Sequence, residues 1–124
     1  MGFHHSWYSK MIKVTWFLRK ADHLTLAEFR EWWLNRHAPR VRRTQAPYLK
    51  ALRVSVRIDD DGVFASAPTA EPFPWDGYAE QFFDTLEDFN AVFSSNERPT
   101  RAEVLAHTSA IQRMVVEETE IRLD

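Results

Sequence analysis

Four segments of the chain have the alternation of apolar and polar residues that is typical of β-strands: residues 11–20, 51–58, 75–84 and 114–123. A period of two places successive side chains on opposite faces of a strand. In the first segment, Trp16 and Phe17 therefore lie on opposite faces. Rings on both faces indicate a sheet that helices cover on one side and another surface covers on the other.

Between the first two strands, a helix is predicted to begin at Thr25. Thr25 has the N-cap position, and Glu28 is its capping-box partner three residues later. Four residues at three- and four-residue spacing form the inward stripe of this helix: Leu26, Phe29, Trp33 and His37. Because Pro39 lacks an N–H and crowds the preceding turn, we expect the helix to kink or stop near Ala38. His37 then lies beside a break in the helix.

A second helix is predicted after the third strand, capped by Thr85 or by Asp84, and a shorter helix is predicted over residues 100–107. The order of strand, helix, strand, strand, helix, strand is the split βαβ pattern. It predicts an α+β fold of the ferredoxin-like type, with a four-stranded antiparallel sheet, the first and third strands at its centre and the helices on one face. We expect the uncovered face to pack on a second copy of the chain, which makes a homodimer.

The length of 124 residues is that of one domain. We assign residues 11–124 to this domain and residues 1–10 to a flexible N-terminal arm. Residues 59–74 contain three Asp, three Pro and a Gly, which predicts a long loop. This loop is either a lid or a tolerated insertion.

The composition narrows the range of partners. A formal net charge of -2 with interspersed charges argues against binding to nucleic acid or to an anionic membrane surface. No apolar run has the length of a membrane span or the form of a signal peptide, and cysteine is absent, so we expect a cytoplasmic protein. The chain has three glycines and no Gly-rich phosphate loop, and its histidines and carboxylates lack metal-ligand spacing. We therefore predict no cofactor and no metal.

His37 is the first candidate for acid–base chemistry. An imidazole exchanges a proton near neutral pH without a cofactor. The alternative is structural, since His37 can hold the helix break by bonding a carbonyl that Pro39 leaves without a donor. His23 and His107 have no patterned context and are expected at the surface.

The third strand supplies the other two predicted catalytic residues. Glu80 is expected to orient or charge-balance His37, or else to pair with Arg53 on a neighbouring strand. Tyr78 is expected to donate a hydrogen bond to a carbonyl or phenolate. Four rings are assigned to the walls of a pocket for a flat hydrophobic substrate, with plain core packing as the alternative: Trp16, Phe29, Trp33 and Phe82.

Three motifs of this chain resemble the EthD-domain family. Residues 28–39, EFREWWLNRHAP, resemble its helix motif; residues 76–84, DGYAEQFFD, resemble its third strand, and residues 115–118, VVEE, its final strand. The resemblance implies a dimeric α/β barrel, in which two ferredoxin-like protomers pack sheet to sheet and each keeps a pocket between its sheet and helices. It also implies wider relatives among cofactor-independent cyclases, isomerases, decarboxylases and monooxygenases, and the fold alone selects none of these reactions.

Taken together, these features predict a small cofactor-independent enzyme. We expect a lyase, cyclase or isomerase in which His37 moves a proton on a hydrophobic aromatic or polyketide-like substrate. Two alternatives stay open. One is a cofactor-free monooxygenase whose electron-rich substrate activates oxygen itself. The other is a non-catalytic accessory protein that binds a small molecule for an oxygenase system.

Overall fold

Four antiparallel strands form one sheet in the computed structural model, which describes residues 10–58, 74–94 and 99–123. The strands are β1 (Lys10–Lys20), β2 (Ala51–Val56), β3 (Gly77–Phe83) and β4 (Thr108–Thr119). Their order is β2-β3-β1-β4, so the first and third strands lie at the centre. This order confirms the predicted ferredoxin-like α+β arrangement.

The first helical segment runs without a break past Pro39. Helix α1 (Leu26–Trp32) continues through a π-helical turn at Trp33–His37 into α2 (Ala38–Gln45). In the wider turn, the N–H of Ala38 donates to the carbonyl of Trp33, five residues earlier. Of the two outcomes predicted near Ala38, a kink or a stop, the stop is therefore wrong, because the π-helical turn accommodates a proline that an uninterrupted α-helix would not.

Both predicted N-caps are present. Thr25 Oγ1 accepts from the N–H of Glu28 at 3.1 Å, and Glu28 Oε1 accepts from the N–H of Thr25 at 2.9 Å, which completes the capping box. Helix α3 (Leu86–Phe93) begins after Thr85, whose hydroxyl accepts from the N–H of Asp88. Thr85 rather than Asp84 is thus the cap. The short helix α4 (Arg101–His107) also forms where it is expected.

The last strand begins earlier than its sequence pattern predicts. Strand β4 begins at Thr108, directly after α4, and pairs with β1 along its whole length, from Lys10↔Thr119 to Lys20↔Thr108. Pairing with β1 therefore extends β4 back to Thr108, and the strand ends at Thr119 rather than at Leu123. Of the predicted arm over residues 1–10, only Lys10 is among the described residues, and of the predicted loop over residues 59–74, only Pro74 is.

The strand register assigns each side chain to one of two faces. The face toward the helices carries mostly apolar residues of the central strands: Val14, Trp16, Leu18, Gly77, Ala79, Gln81 and Phe83. We call the other side the open face, which includes Lys13, Thr15, Phe17, Tyr78, Glu80, Phe82, Gln112, Met114 and Val116. Met114 is 52% exposed and Tyr78 is 41% exposed there.

Gly77 lets the first helical segment approach the sheet closely. A Cβ at this position would meet the backbone oxygen of Ser55 and would lie 2.9 Å from Cζ3 of Trp33. Both distances are shorter than ordinary van der Waals contact. Trp33 is 1% exposed and belongs to the main core cluster with Leu18 and Phe29. The missing side chain of Gly77 therefore makes room for the ring that fixes the helix over the sheet.

Candidate active site

A cavity of about 410 Å³ lies between the helices and the covered face of the sheet. Residues of all four strands form its floor: Trp16, Leu18, Leu52, Val54, Ala79 and Ile111. The helices contribute its walls, which include Trp33, His37, Val41 and Val104. A predominantly apolar lining with a few polar groups, at this volume, is typical of a small-molecule site.

His37 is the last residue of the π-helical turn and lines this cavity. Its Nδ1 lies 2.7 Å from Oε1 of Glu103 on α4, and Nη1 of Arg40 lies 3.2 Å from Oε2 of the same carboxylate. Because a carboxylate only accepts hydrogen bonds, we assign the ring hydrogen of His37 to Nδ1, which donates to Glu103. Nε2 has no hydrogen-bond partner among the described residues and keeps its lone pair.

Trp32 stacks on two imidazole rings. Its ring centroid lies 4.7 Å from that of His37 and 4.3 Å from that of His107, and both pairs are stacked. Nδ1 of His107 also lies 2.6 Å from the backbone oxygen of Glu103. Glu103 on α4 therefore contacts both imidazole rings, that of His107 through its backbone and that of His37 through its side chain. His107 is half-buried, and its predicted surface position is wrong because Trp32 covers its ring. His23 is exposed, as expected.

The surroundings of His37 favour its neutral form. Burial lowers the pKa of His37 below the usual value of 6.5, and the charges of His107 and Arg40 act in the same direction. The hydrogen bond and the charge of Glu103 raise this pKa, but burial has the larger effect. At pH 7 His37 is therefore neutral and has the unprotonated nitrogen that a general base requires.

A hydrogen-bonded chain of side chains, which we call the amide relay (Trp16, Gln81 and Gln45), crosses the cavity floor. Nε1 of Trp16 donates to Oε1 of Gln81 at 2.6 Å, and Nε2 of Gln81 donates to Oε1 of Gln45 at 2.5 Å. All three residues line the cavity. Gln81 is 3% exposed, so these bonds satisfy an amide that would otherwise be costly to bury.

Three of the residues assigned from sequence meet at the cavity: His37, Trp16 and Trp33. Phe29 is fully buried but does not line it. Its ring packs on Trp32 and Trp33, with centroid separations of 5.8 and 5.3 Å. Phe29 therefore supports the cavity wall from behind, and its assignment as a wall residue is wrong because neighbouring rings separate it from the cavity.

The remaining three assigned residues, Glu80, Tyr78 and Phe82, lie on the open face, on the opposite side of the sheet from the cavity. Oε2 of Glu80 accepts from Nζ of Lys13 at 3.0 Å. Arg53 lies opposite Glu80 in the strand register, but among the described residues no ion pair joins Glu80 to Arg53 or to His37. The expectation that Glu80 lies beside His37 is therefore wrong, and so is the expectation that Tyr78 donates to a ligand in this cavity.

Phe82 does not form a wall of the cavity either. Two cations lie over its ring, with Nζ of Lys13 at 5.8 Å and Cζ of Arg53 at 5.2 Å from the centroid. The alternation of β3 separates its residues into two sets correctly, but it does not indicate which set the helices cover. The set that the helices cover is the one that contains the small residues Gly77 and Ala79, because the ring of Trp33 packs against them.

Sequence reasoning missed three polar residues of the site: Glu103, Gln81 and Gln45. Glu103 and His107 are four residues apart in a predicted helix, a spacing that places both on one helix face. Gln81 is a polar residue among apolar ones on the covered set of β3. The sequence carries both signals, but neither indicates the partner across the fold.

Neither a metal-ligand cluster nor a membrane span is evident in the part of the chain that the structure describes. Within it, no three His, Cys, Asp or Glu side chains converge as metal ligands would. None of the helices formed by these residues is long and apolar enough to cross a bilayer.

The fold and the cavity together define a ferredoxin-like α+β protein with a candidate small-molecule site. The family model of the EthD domain matches residues 21–116, and the chain belongs to this family. The match confirms the family that the three sequence motifs indicate. No curated protein sequence matches the chain.

Solved structures with the same fold are distant in sequence. An EthD family protein from Bacillus halodurans has a TM-score of 0.63 at 19% identity, over 88% of this chain and 99% of that one. Hydroxynitrile lyase from Passiflora edulis has a TM-score of 0.64 at 13% identity, over 93% and 99%. A dimeric ferredoxin-like protein of unknown function from Thermobifida fusca has a TM-score of 0.50 at 16% identity, over 90% and 92%. At these identities the likeness establishes the fold alone.

Proposed function

We propose that the protein is a cofactor-independent enzyme in which His37 moves a proton on a hydrophobic small molecule. One observation carries this proposal: the imidazole of His37 lines an apolar cavity, and its Nδ1 lies 2.7 Å from Oε1 of Glu103. In this arrangement Nε2 accepts a proton from the substrate, and the carboxylate of Glu103 stabilises the imidazolium that forms. His37 is the catalytic residue, and Glu103 is a positioning residue.

The reaction class that fits is that of a lyase, cyclase or isomerase. His37 removes a proton from a carbon or hydroxyl of the substrate, and the electron pair of that bond moves into the substrate. The imidazolium then returns the proton at another atom or to a leaving group, so neither an oxidant nor a reductant is consumed. A cavity of about 410 Å³ suits an aromatic or polyketide-like molecule of two or three rings. The hydroxynitrile lyase of Passiflora edulis has a related fold, so lyase chemistry is compatible with it, although a fold selects no reaction.

Turnover of a panel of aromatic polyketides and lactones tests this proposal. We expect wild-type protein to convert at least one of them, and His37→Ala to convert it about 10² to 10⁴ times more slowly. His23→Ala removes an exposed histidine and is the matched control. Circular dichroism checks that each variant is folded. Retained turnover in folded His37→Ala would remove His37 from the mechanism.

A second candidate function is binding without catalysis. His37 is stacked on Trp32 and bonded to Glu103, which are also the contacts of a structural residue. Under this hypothesis the wild-type protein binds members of the same panel but converts none, and His37→Ala changes only the Kd. Because Trp16 and Trp33 line the cavity, quenching of tryptophan fluorescence measures binding independently of turnover.

We also propose that the open face pairs with the same face of a second copy. Met114 and Tyr78 are large and exposed there, and exposed apolar residues on one face favour burial in an interface. Nζ of Lys13 lies 3.0 Å from carboxylate oxygens of both Glu80 and Glu118, so its charge is already paired within the protomer. The Thermobifida fusca protein is dimeric. In such a homodimer each protomer keeps its own cavity, because the cavity lies on the other side of the sheet.

A further inference from the structure

The indole of Trp16 fixes the direction of the amide relay. An indole nitrogen only donates, so the atom of Gln81 that accepts from it must be Oε1. Nε2 of Gln81 is then the donor to Gln45, and the accepting atom of Gln45 must be its Oε1. Both amide orientations therefore follow from one group whose hydrogen-bond role is known. The relay ends at the Nε2 amino group of Gln45.

Gln45 thus has a donor whose orientation the amide relay fixes. Gln45 lines the cavity and is half-buried, and Nε2 has no hydrogen-bond partner among the described residues. Rotating the amide to hide this amino group would break the bond to Gln81. A donor held in this way beside apolar surface favours a ligand that presents an oxygen acceptor to it.

The donor lies far from His37 along the same helical segment. His37 and Gln45 are eight residues apart in the sequence, which corresponds to about 12 Å along the axis of an α-helix. Val41, which is between them in the sequence, lines the cavity, as do Leu52 and Val54 on the floor. A ligand that reaches both polar groups is therefore elongated, with an apolar middle.

We propose that Gln45 is a specificity-determining residue. Its Nε2 donates to an oxygen acceptor, such as a carbonyl, at one end of an elongated hydrophobic substrate, and His37 acts on an atom at the other end. This inference rests on the proposed function in one respect, namely that the reacting end of the substrate lies at His37. The requirement for an oxygen acceptor at Gln45 does not depend on proton transfer. Tyr48 lines the same cavity three residues after Gln45, so its hydroxyl is a competing donor that an experiment must exclude.

A matched pair of probes tests the acceptor requirement. Prodan is an elongated naphthalene with a ketone at one end, and its propyl analogue lacks the carbonyl oxygen. We expect wild-type protein to bind Prodan about tenfold more tightly than the analogue, as one neutral hydrogen bond allows. In Gln45→Leu the two probes should bind equally, and the emission of bound Prodan should shift to shorter wavelength because its carbonyl loses a donor. Gln112→Leu makes the same chemical change on the open face and should keep the wild-type preference.

Variants of neighbouring residues distinguish a donor held by the amide relay from a donor at Tyr48. Tyr48→Phe should keep the preference, whereas Gln81→Leu should weaken it because the amide of Gln45 is then free to rotate. A preference that survives in Gln45→Leu, or that disappears in Tyr48→Phe, would overturn the inference. If His37→Ala abolishes turnover while Gln45→Leu leaves the probe preference unchanged, the inference fails and the proposed function stands. If neither probe binds wild-type protein, the inference fails, and turnover of the panel alone decides the proposed function.

Discussion

Nδ1 of His37 lies 2.7 Å from Oε1 of Glu103, and this hydrogen bond joins the π-helical turn to α4 across 66 residues of sequence. The bond decides which nitrogen of His37 carries the hydrogen. It also orients the ring, together with the stacking on Trp32 at a centroid separation of 4.7 Å. His37 is therefore held in one tautomer and one orientation at the cavity, which is the condition for acid–base work without a cofactor.

Glu103→Gln should lower the pKa of His37. The hydrogen bond and the charge of Glu103 raise this pKa against the effect of burial, and an amide supplies no charge. An NMR titration of His37 should give a pKa below 6.5 in the wild type and a lower pKa in the variant. Glu31→Gln, which changes an exposed carboxylate on α1, is the matched control. A pKa that is unchanged or higher in Glu103→Gln would show that the carboxylate does not act on His37.

His37 should make the stability of the protein fall on acidification. Its pKa is lower in the folded chain than in the unfolded one, so the unfolded chain binds more protons below about pH 6.5. The stability that neutral His37 contributes is present above this pH and is lost as the pH falls through the folded-state pKa. Urea unfolding at a series of pH values should show that wild type loses more free energy of unfolding than His37→Gln does. An equal loss in both proteins would contradict this prediction, and His23→Gln controls for the loss of a histidine.

Gly77→Ala should destabilise the fold. The added Cβ would meet the oxygen of Ser55, which is backbone, and Cζ3 of Trp33, which is fixed in the core. Overpacking of this kind costs about 1–3 kcal/mol in the free energy of unfolding. Urea denaturation measures the cost. A variant as stable as the wild type would show that Trp33 can move away from the sheet without loss.

Met114→Asp should dissociate the proposed homodimer. The residue is 52% exposed on the open face, and a charge buried there without a partner opposes pairing. Sedimentation velocity should show a dimer for wild type and a monomer for the variant. Leu86→Asp is the control, because Leu86 is 54% exposed on α3 and lies away from the open face. A wild-type monomer, or a dimer that persists in Met114→Asp, would exclude this interface.

Local patterns account for the parts of the fold that the sequence predicts well. The capping box of Thr25 and Glu28 and the inward stripe that ends at His37 depend on residues within one or two helical turns. Alternation identifies the strands, and the order of elements then restricts the sheet to few topologies. These signals are sufficient to place His37, Trp16 and Trp33 at one cavity.

The features that could not be predicted depend on contacts distant in the sequence. A helix that continues past Pro39 requires a π-helical turn, and the start of β4 depends on its pairing with β1. Alternation does not reveal which face of β3 the helices cover, so Glu80, Tyr78 and Phe82 are assigned to the wrong side from sequence. The partnership of His37 with Glu103 is set by how α4 packs, and no local pattern encodes it.

Proton transfer from the substrate to Nε2 of His37 is the step on which the proposed function depends. β-Tetralone is a bicyclic ketone with an acidic C–H next to its carbonyl, and NMR in D₂O follows the loss of that proton signal without knowledge of the natural substrate. We expect wild-type protein to accelerate this exchange above the buffer rate, Glu103→Gln to accelerate it less, and folded His37→Gln to give the buffer rate. Equal acceleration by wild type and His37→Gln would show that His37 is not the base.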